Sequence, residues 1–442
     1  MKRETWGSHI GFILAVAGSA IGLANIWRFP YMVGKNGGAA FIAIYLLCLL
    51  LIGFPVFLSE ILIGKKTHAN PAKAMEKLSH SKVWRKAGLL TIITGFLVSS
   101  FYSAVAGWVL GYLYESVTGS LSFTTFESAN AHFDHVTSNP FWGLGFHFLF
   151  MSACVSVLYC GVKYGIERAN KILMPLLFII LIGLVINGLL MPNSKEALAY
   201  LLRPDFTLLT PAAWLAALGH SFFTLSLGQG TMITYGSYMR ENEPVLSSLV
   251  PVVIMDTLVS LLSAFAIFTI AFSQGVEPGQ GPSLLFSTLP VVFNGIPGGA
   301  IIASFFFLLV VLAALTSEIS AMEPSIAYLI EEKKISRHKA TAVVAIGAFL
   351  FGVPSALSTS LLSGVGFNFL EVMDTLCNSI LIPVGGFLAV IMVGWKWGFK
   401  PAYHFLVGDA NRPVLKSYLK LGIKYTAPIL ITLVFLNVIG II

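Results

Sequence analysis

Charge is scarce in this chain. Asp, Glu, Lys and Arg make up 11% of its 442 residues, against about one quarter in soluble domains. That scarcity excludes an ordinary soluble protein. Cysteine is rarer still. The four present, Cys48, Cys154, Cys160 and Cys377, fall inside apolar stretches with no CxxC spacing. A disulfide framework and a thiolate metal site are thereby excluded, and all four are expected to be buried small hydrophobes. Basic residues are missing from 119–140, 274–297 and 355–365 altogether. The net charge of +7 is therefore distributed by side of a membrane, and no nucleic-acid partner is implied.

What is present is apolar length. Hydrophobic residues make up 56% of the chain, in repeated runs of roughly the 20 residues that cross a bilayer. Eleven spans are read at about 10–34, 39–64, 88–118, 141–160, 165–191, 212–238, 247–273, 299–330, 338–354, 366–395 and 422–441. The alternate connections are basic: Lys2 and Arg3, Lys65 to Lys86, Lys163 to Lys171, Arg240, Lys333 to Lys339, and Lys396 to Lys424. The positive-inside rule places the N-terminus in the cytoplasm and, with an odd count, the C-terminus outside the cell inner membrane. Met-Lys-Arg followed by an apolar run imitates a signal peptide. Cleavage there would remove the chain's most polar span, so a retained helix is expected.

Two spans carry residues that lipid does not favour. In span one, Gly18, Ser19, Gly22 and Asn25 sit at the depth of the bilayer centre. Glycine lets a helix open, and an opened backbone must face protein or a polar cavity. Gly18 and Gly22 are also four apart, the spacing of close helix packing, so that plainer reading stays open. In span six, Gly228 and Gly230 lie among Thr224, Ser226 and Gln229. Broken helices at positions one and six imply two five-helix halves of inverted topology, repeat one about 8–191 and repeat two about 205–397, followed by an extra helix at about 422–441. Such pairs mark the midplane binding site of a transporter, where half-helix N-termini hold a carboxylate and freed carbonyls a cation.

The stretches "GSAIGLANIWRFPYMVGKNGGAAF", "FFTLSLGQG" and "LTSEISAMEP" resemble the signatures of the neurotransmitter:sodium symporter family, in its bacterial amino-acid transporter branch. The resemblance covers nearly the whole chain as a single transmembrane transporter domain, 1–442. It implies an all-α polytopic membrane protein of eleven helices in the leucine-transporter fold. The implied activity is sodium-coupled import of a neutral L-amino acid by alternating access, not enzyme catalysis.

The resemblance also implies site residues. One sodium ion would be held by the Ala20 carbonyl, Asn25, Thr224 and the substrate carboxylate, with Asp256 where the leucine-transporting member has asparagine. The second would be held by the carbonyls of Gly18, Ile21 and Ala313 and the hydroxyls of Thr316 and Ser317. Hard cations want several oxygens, although Thr and Ser hydroxyls can also simply bond their own helix. Chloride-dependent relatives bind an anion at positions matching Tyr45, His220, Thr224 and Ser260. Here His220 replaces a glutamine and reads equally as a hydrogen-bonded packing residue. Asp256 is expected to supply the negative charge in place of chloride, since an aspartate deep in a span is functional by default.

The substrate carboxylate is expected against Ala20, Gly22, Leu23 and Tyr102, and its ammonium against Ser19, Phe223, Thr224 and Ser226. Ala24 marks a further departure from the family motif. Val98, Phe223, Gln229, Ser317, Ser320 and Ala321 would set side-chain selectivity. Ala321 stands for an isoleucine and Gln229 for a phenylalanine of the leucine-transporting member. A large hydrophobic or aromatic substrate is expected, with a glutamine-like one as the alternative. Ser19 replaces the aspartate of amine-transporting relatives and argues against a biogenic amine. Glu318 has no role in the pattern and is expected to turn away from sodium and pair elsewhere.

Arg28 and Asp374 match an outer gate with Phe223 as lid. Arg3, Ser237, Tyr238 and Glu331 match an inner network beside Trp6, and Glu60 is expected to bond opened backbone of span six. Gly165 and Pro175 could let span five unwind, or Pro175 could only kink it. Segment 274–297, with its "PGQGPS", resembles an external cap. Three rival classes compete, and the sequence shows neither the repeat or charged ring of a channel nor, within a span, the glycine-flanked aspartate motif of a protease. A channel would want a pore-lining repeat or charged rings. An intramembrane aspartyl protease would want a close pair of aspartates with split acidities. A non-transporting amino-acid receptor would share every feature above.

Overall fold

The computed structural model describes residues 3–275, 284–364, 366–410 and 412–438. Lys2, the "PGQGPS" stretch 278–283 and the end of the last span, 439–441, lie outside the described residues. Among the described residues every regular element is a helix. Nine helices among the described residues are long and apolar enough to cross a membrane, from Ala39–Thr67 to Pro413–Asn437, and the pair His9–Ala20 and Ala24–Lys35, bent by 54°, makes up to ten.

Span six does not form one continuous helix. It divides into Pro211–Phe223 and Thr231–Ser237, with an irregular stretch at 224–230 between them. The eleven-fold count by length therefore falls short at the glycine-rich segment, where the chain gives up helical hydrogen bonds. The last span begins at Pro413 rather than 422, because the amphipathic helix Pro413–Leu421 runs on into it. Cys160 is exposed, unlike the three buried cysteines. It caps the end of the fourth span, Pro140–Tyr159, where packing stops.

Span one breaks where Ile21 turns to an extended conformation, φ −78° and ψ 106°. At Gly22 a Cβ would lie 2.6 Å from Ser317 Oγ and 3.2 Å from the Tyr102 hydroxyl. Glycine is required there by proximity. At Gly228 it is required by conformation as well: φ is +74°, and a Cβ would lie 2.0 Å from the Ile382 carbonyl oxygen. Gly228→Ala must therefore both enter the left-handed region, at about 1–2 kcal/mol, and push the tenth span away. The expected outcome is a lower melting temperature in detergent together with loss of sodium-dependent uptake. Wild-type behaviour in both assays would refute the contact.

Span five runs from Val162 to Leu189 as one apolar helix, with Pro175 inside it and a wide turn over Val162–Glu167 that includes Gly165. The core is apolar throughout, yet it buries Glu60, Asp256, Glu318 and Glu323 at 1% exposure or less. Four acids at that depth must each find partners.

Candidate substrate and ion site

The breaks in spans one and six face each other, and their freed backbone groups are caught by side chains. The Gly22 amide donates to Asn25 Oδ1 at 2.9 Å, and the Leu23 amide to the Tyr102 hydroxyl at 3.4 Å. Ser226, itself at φ +52°, donates to the Ser19 carbonyl at 2.7 Å. The Gly228 amide donates to Glu60 Oε1 at 2.7 Å, the role expected of Glu60. These bonds meet the requirement that buried backbone polar groups be paired. The close-packing reading of Gly18 and Gly22 is insufficient, because the helix ends at Ala20.

Around these breaks lies a cavity lined by Ser19, Ala20, Gly22, Leu23, Ala24, Val98, Tyr102, Phe223, Ser226, Gln229, Ser317 and Ala321. All were expected there. Glu318 and Ile382 line it as well, and neither was. Thr224 and Ser320 stand behind the wall, Ser320 joined to Ser19 at 2.7 Å. Glu318, expected to turn from sodium and pair elsewhere, pairs with Ser99 of span three; that it also lines the cavity was not expected. It is fully buried and lines the cavity, its Oε1 held by the Ser99 hydroxyl. The signal was in the sequence as an acid directly after Ser317, but only the packing of span eight on span three gives it a partner.

Asn25, Thr224 and Asp256 converge as expected. Asn25 Nδ2 donates to Asp256 Oδ1 at 2.7 Å, to Thr224 Oγ1 at 2.9 Å and to Ser260 Oγ at 2.9 Å. Thr224 donates to the same carboxylate oxygen at 2.8 Å, and Tyr45 to its other oxygen at 3.4 Å. The hydroxyl and carboxyl oxygens of this cluster have the donor chemistry of a hard-cation site, while the Asn25 amide turns its nitrogen to them and its Oδ1 to the Gly22 amide. Among the described residues no group of three His, Cys, Asp or Glu side chains could hold a metal. His220 stacks on Phe29 with ring centroids 5.5 Å apart and leans on Tyr45. Neither of its ring nitrogens has a partner among the described residues.

The residues expected at the second ion divide. Ser317 faces the opened backbone, its hydroxyl 3.1 Å from the Ile21 carbonyl and 3.5 Å from that of Gly18. Thr316 bonds back to Leu312 and Ala313 at 3.2 and 3.1 Å, the ordinary helical use of a threonine.

On one side of the cavity the Arg28 guanidinium lies over the Phe223 ring at 5.2 Å. Asp374 accepts from Asn378 at 2.5 Å, and no direct Arg28–Asp374 ion pair forms among the described residues. On the other side, Arg3 pairs with Glu331, donates to Ser237 and lies over the Tyr238 ring at 4.8 Å. Trp6 packs edge-on against Tyr235 and donates to its carbonyl at 3.0 Å. Beneath this network is a second one that the motifs do not announce. The Tyr238 hydroxyl donates to Glu323 at 2.7 Å, and Arg337 holds Glu323 through bonds of 3.0 and 2.7 Å. An acid inside an apolar span was the available signal, the same one that singled out Asp256.

An opened helix pair around a buried cavity, with a cluster of buried carboxyl and hydroxyl oxygens at its edge, is the arrangement of a membrane carrier. The model of the sodium:neurotransmitter symporter family matches residues 3–140 and 139–441, and the chain belongs to that family of multi-pass, sodium-dependent transporters. It is 36% identical to a sodium-dependent transporter of Bacillus subtilis, YhdH, over all of this chain and 98% of the relative. It is 34% identical to the Methanocaldococcus jannaschii sodium-dependent transporter MJ1319, over 99% of this chain and 91% of the relative. Among solved structures it is similar to MhsT in complex with L-phenylalanine, at 40% identity and a TM-score of 0.90, covering 99% of this chain and 100% of that one.

Proposed function

We propose that this chain imports a neutral L-amino acid together with sodium, by alternating access around the cavity between the two broken helices. The observation that carries this reading is the convergence of Asn25, Thr224 and Asp256 beside a cavity bordered by the opened backbone at Gly22 and Leu23. The two amides there, with Tyr102, would receive the substrate carboxylate, which would complete the first sodium site. The carbonyls of Gly18, Ile21 and Ala313 with Ser317 and Thr316 would hold a second sodium. Thr316 would turn its hydroxyl from its own helix toward the ion. Arg28, Asp374 and Phe223 would close the outer side; Arg3, Ser237, Tyr238 and Glu331 would close the inner one. The eleven crossings, the inverted repeat, the cytoplasmic N-terminus and the external C-terminus belong to the same proposal.

MhsT is solved with L-phenylalanine, which supports a large hydrophobic or aromatic substrate here. Ala321 supports it too, as a small residue on the cavity wall. Ala321→Ile should lower apparent affinity for the largest substrates about 10-fold or more, since each added methylene is worth ~1–3 kcal/mol in such a pocket. Competition uptake would read the change, and an unchanged size preference would remove Ala321 from the wall.

Uptake of labelled amino acids into proteoliposomes under an inward sodium gradient tests the proposal. Accumulation should vanish when choline replaces sodium. Sodium-dependent binding without uptake of any of the twenty would identify a receptor instead.

A further inference from the structure

Among the described residues Glu318 is the buried acid that lines the cavity, and it is incompletely partnered. It is 0% exposed. Its Oε1 accepts from Ser99, while its Oε2 has no hydrogen-bond partner among the described residues. No Lys, Arg or His forms an ion pair with it among them. Asp256 is bonded on both oxygens, and Glu323 is held by Arg337 and Tyr238; Glu60 also leaves its Oε2 without a partner among the described residues, but it is not among the residues that line the cavity.

A second acceptor adjoins the same end of the cavity. Gln229 lines the wall, and its Oε1 is also buried without a partner among the described residues. The two residues flank Ala321. Glu318 precedes it by three positions, on the same helix face. A Cβ on Gly95 would lie 2.8 Å from the Gln229 carbonyl and 3.1 Å from the Ala321 carbonyl, so the Gln229 backbone runs beside Ala321. Leaving one buried acceptor unmet costs about 1–3 kcal/mol. Two unmet acceptors on the wall of a cavity, beside the short Ala321 side chain, suit a donor from outside the protein.

With an amino acid in the cavity, the substrate's own carboxylate and ammonium are met elsewhere, by the opened backbone of span one and by span six. What remains to meet Glu318 is the substrate side chain. We infer that Glu318, with Gln229 beside it, selects neutral amino acids whose side chains carry an N–H donor, a carboxamide or an indole, over hydrocarbon side chains of the same shape. Glu318 is the specificity-determining residue, and its free carboxyl oxygen accepts the side-chain N–H. A site built to receive such a donor rejects the analogue lacking it strongly, because its own acceptors are then left unpaired.

The inference rests on the amino-acid reading of the cavity. Its test uses matched pairs in which one member lacks the donor. L-tryptophan is set against 3-benzothienyl-L-alanine, where sulfur replaces the ring N–H. L-glutamine is set against L-glutamic acid γ-methyl ester, where a methoxy group replaces the amide NH2. Sodium-dependent binding to the purified full-length protein is measured by thermal shift and by competition. In the wild type, at least one N–H compound should bind tenfold or more tighter than its partner. Glu318→Leu should bring that ratio close to one, and Glu318→Gln, which keeps a carbonyl acceptor, should restore much of it. Ratios near one for both pairs in the wild type would overturn the inference without any variant needing to fold. A tenfold ratio surviving in Glu318→Leu would overturn it as well. If none of the twenty amino acids stabilises the wild type in sodium, the amino-acid reading itself falls, which is a distinguishable result.

Discussion

Asp256→Asn is expected to reduce sodium-dependent uptake at zero chloride by about 100-fold or more, while the wild type transports equally well with gluconate in place of chloride. The carboxylate is fully buried. Its oxygens accept from Asn25 at 2.7 Å, Thr224 at 2.8 Å and Tyr45 at 3.4 Å, and none of those partners is charged. A monovalent cation bound among the same oxygens would compensate it. Removing one member of a buried charge pair costs roughly 3–5 kcal/mol, which corresponds to the loss stated, because 1.4 kcal/mol is about tenfold. Tyr45 and Ser260 gather around Asp256 at the positions that the family resemblance assigns to a bound chloride, so under the proposed function the fixed carboxylate would stand in for that anion. Wild-type uptake that collapses on chloride removal would show that Asp256 does not play this part.

Arg337→Ala should be the most destabilising single change on the side of the molecule that carries the N-terminus. Glu323 is fully buried and Arg337 is 11% exposed. Truncating the arginine leaves the acid with only the Tyr238 hydroxyl, 2.7 Å away. The expected loss is about 3–5 kcal/mol, seen as a fall in detergent melting temperature of at least about 5 °C. The double change Arg337→Met with Glu323→Leu removes both charges. It should recover much of the stability, since apolar replacements of a buried pair are often neutral. If the double variant is no more stable than Arg337→Ala, the arginine acts through its bonds to the Leu158 carbonyl and Glu4 rather than through Glu323.

Much of the site is legible in the residues alone. Hydropathy is a local property, and it places the long apolar helices. The two breaks are legible because glycine and small polar residues are poor lipid-facing choices wherever they occur. Twelve of the cavity-lining residues carry the positions expected from the motifs. Less legible is how the polar atoms are shared. Thr316 and Ser317 are neighbours in sequence, yet one bonds its own helix and the other the opened backbone of span one. Periodicity alone does not tell them apart, because a hydroxyl on a helix always has a carbonyl of its own within reach.

By itself, the sequence determined that this is a polytopic helical membrane protein, that spans one and six carry residues able to interrupt them, and which side chains are too polar for lipid. It determined, through its motifs, the family to which the chain belongs. The tertiary structure alone decided which of those polar groups meet. Asn25 and Asp256 are 231 positions apart, and Ser99 and Glu318 are 219 apart. Each pair is joined by the stacking of distant spans, which no local pattern records. That is why Glu318 had no role in the sequence and acquires one when span eight packs against span three. A buried carboxyl oxygen without a partner is a property of a packed interior, not of a string of residues.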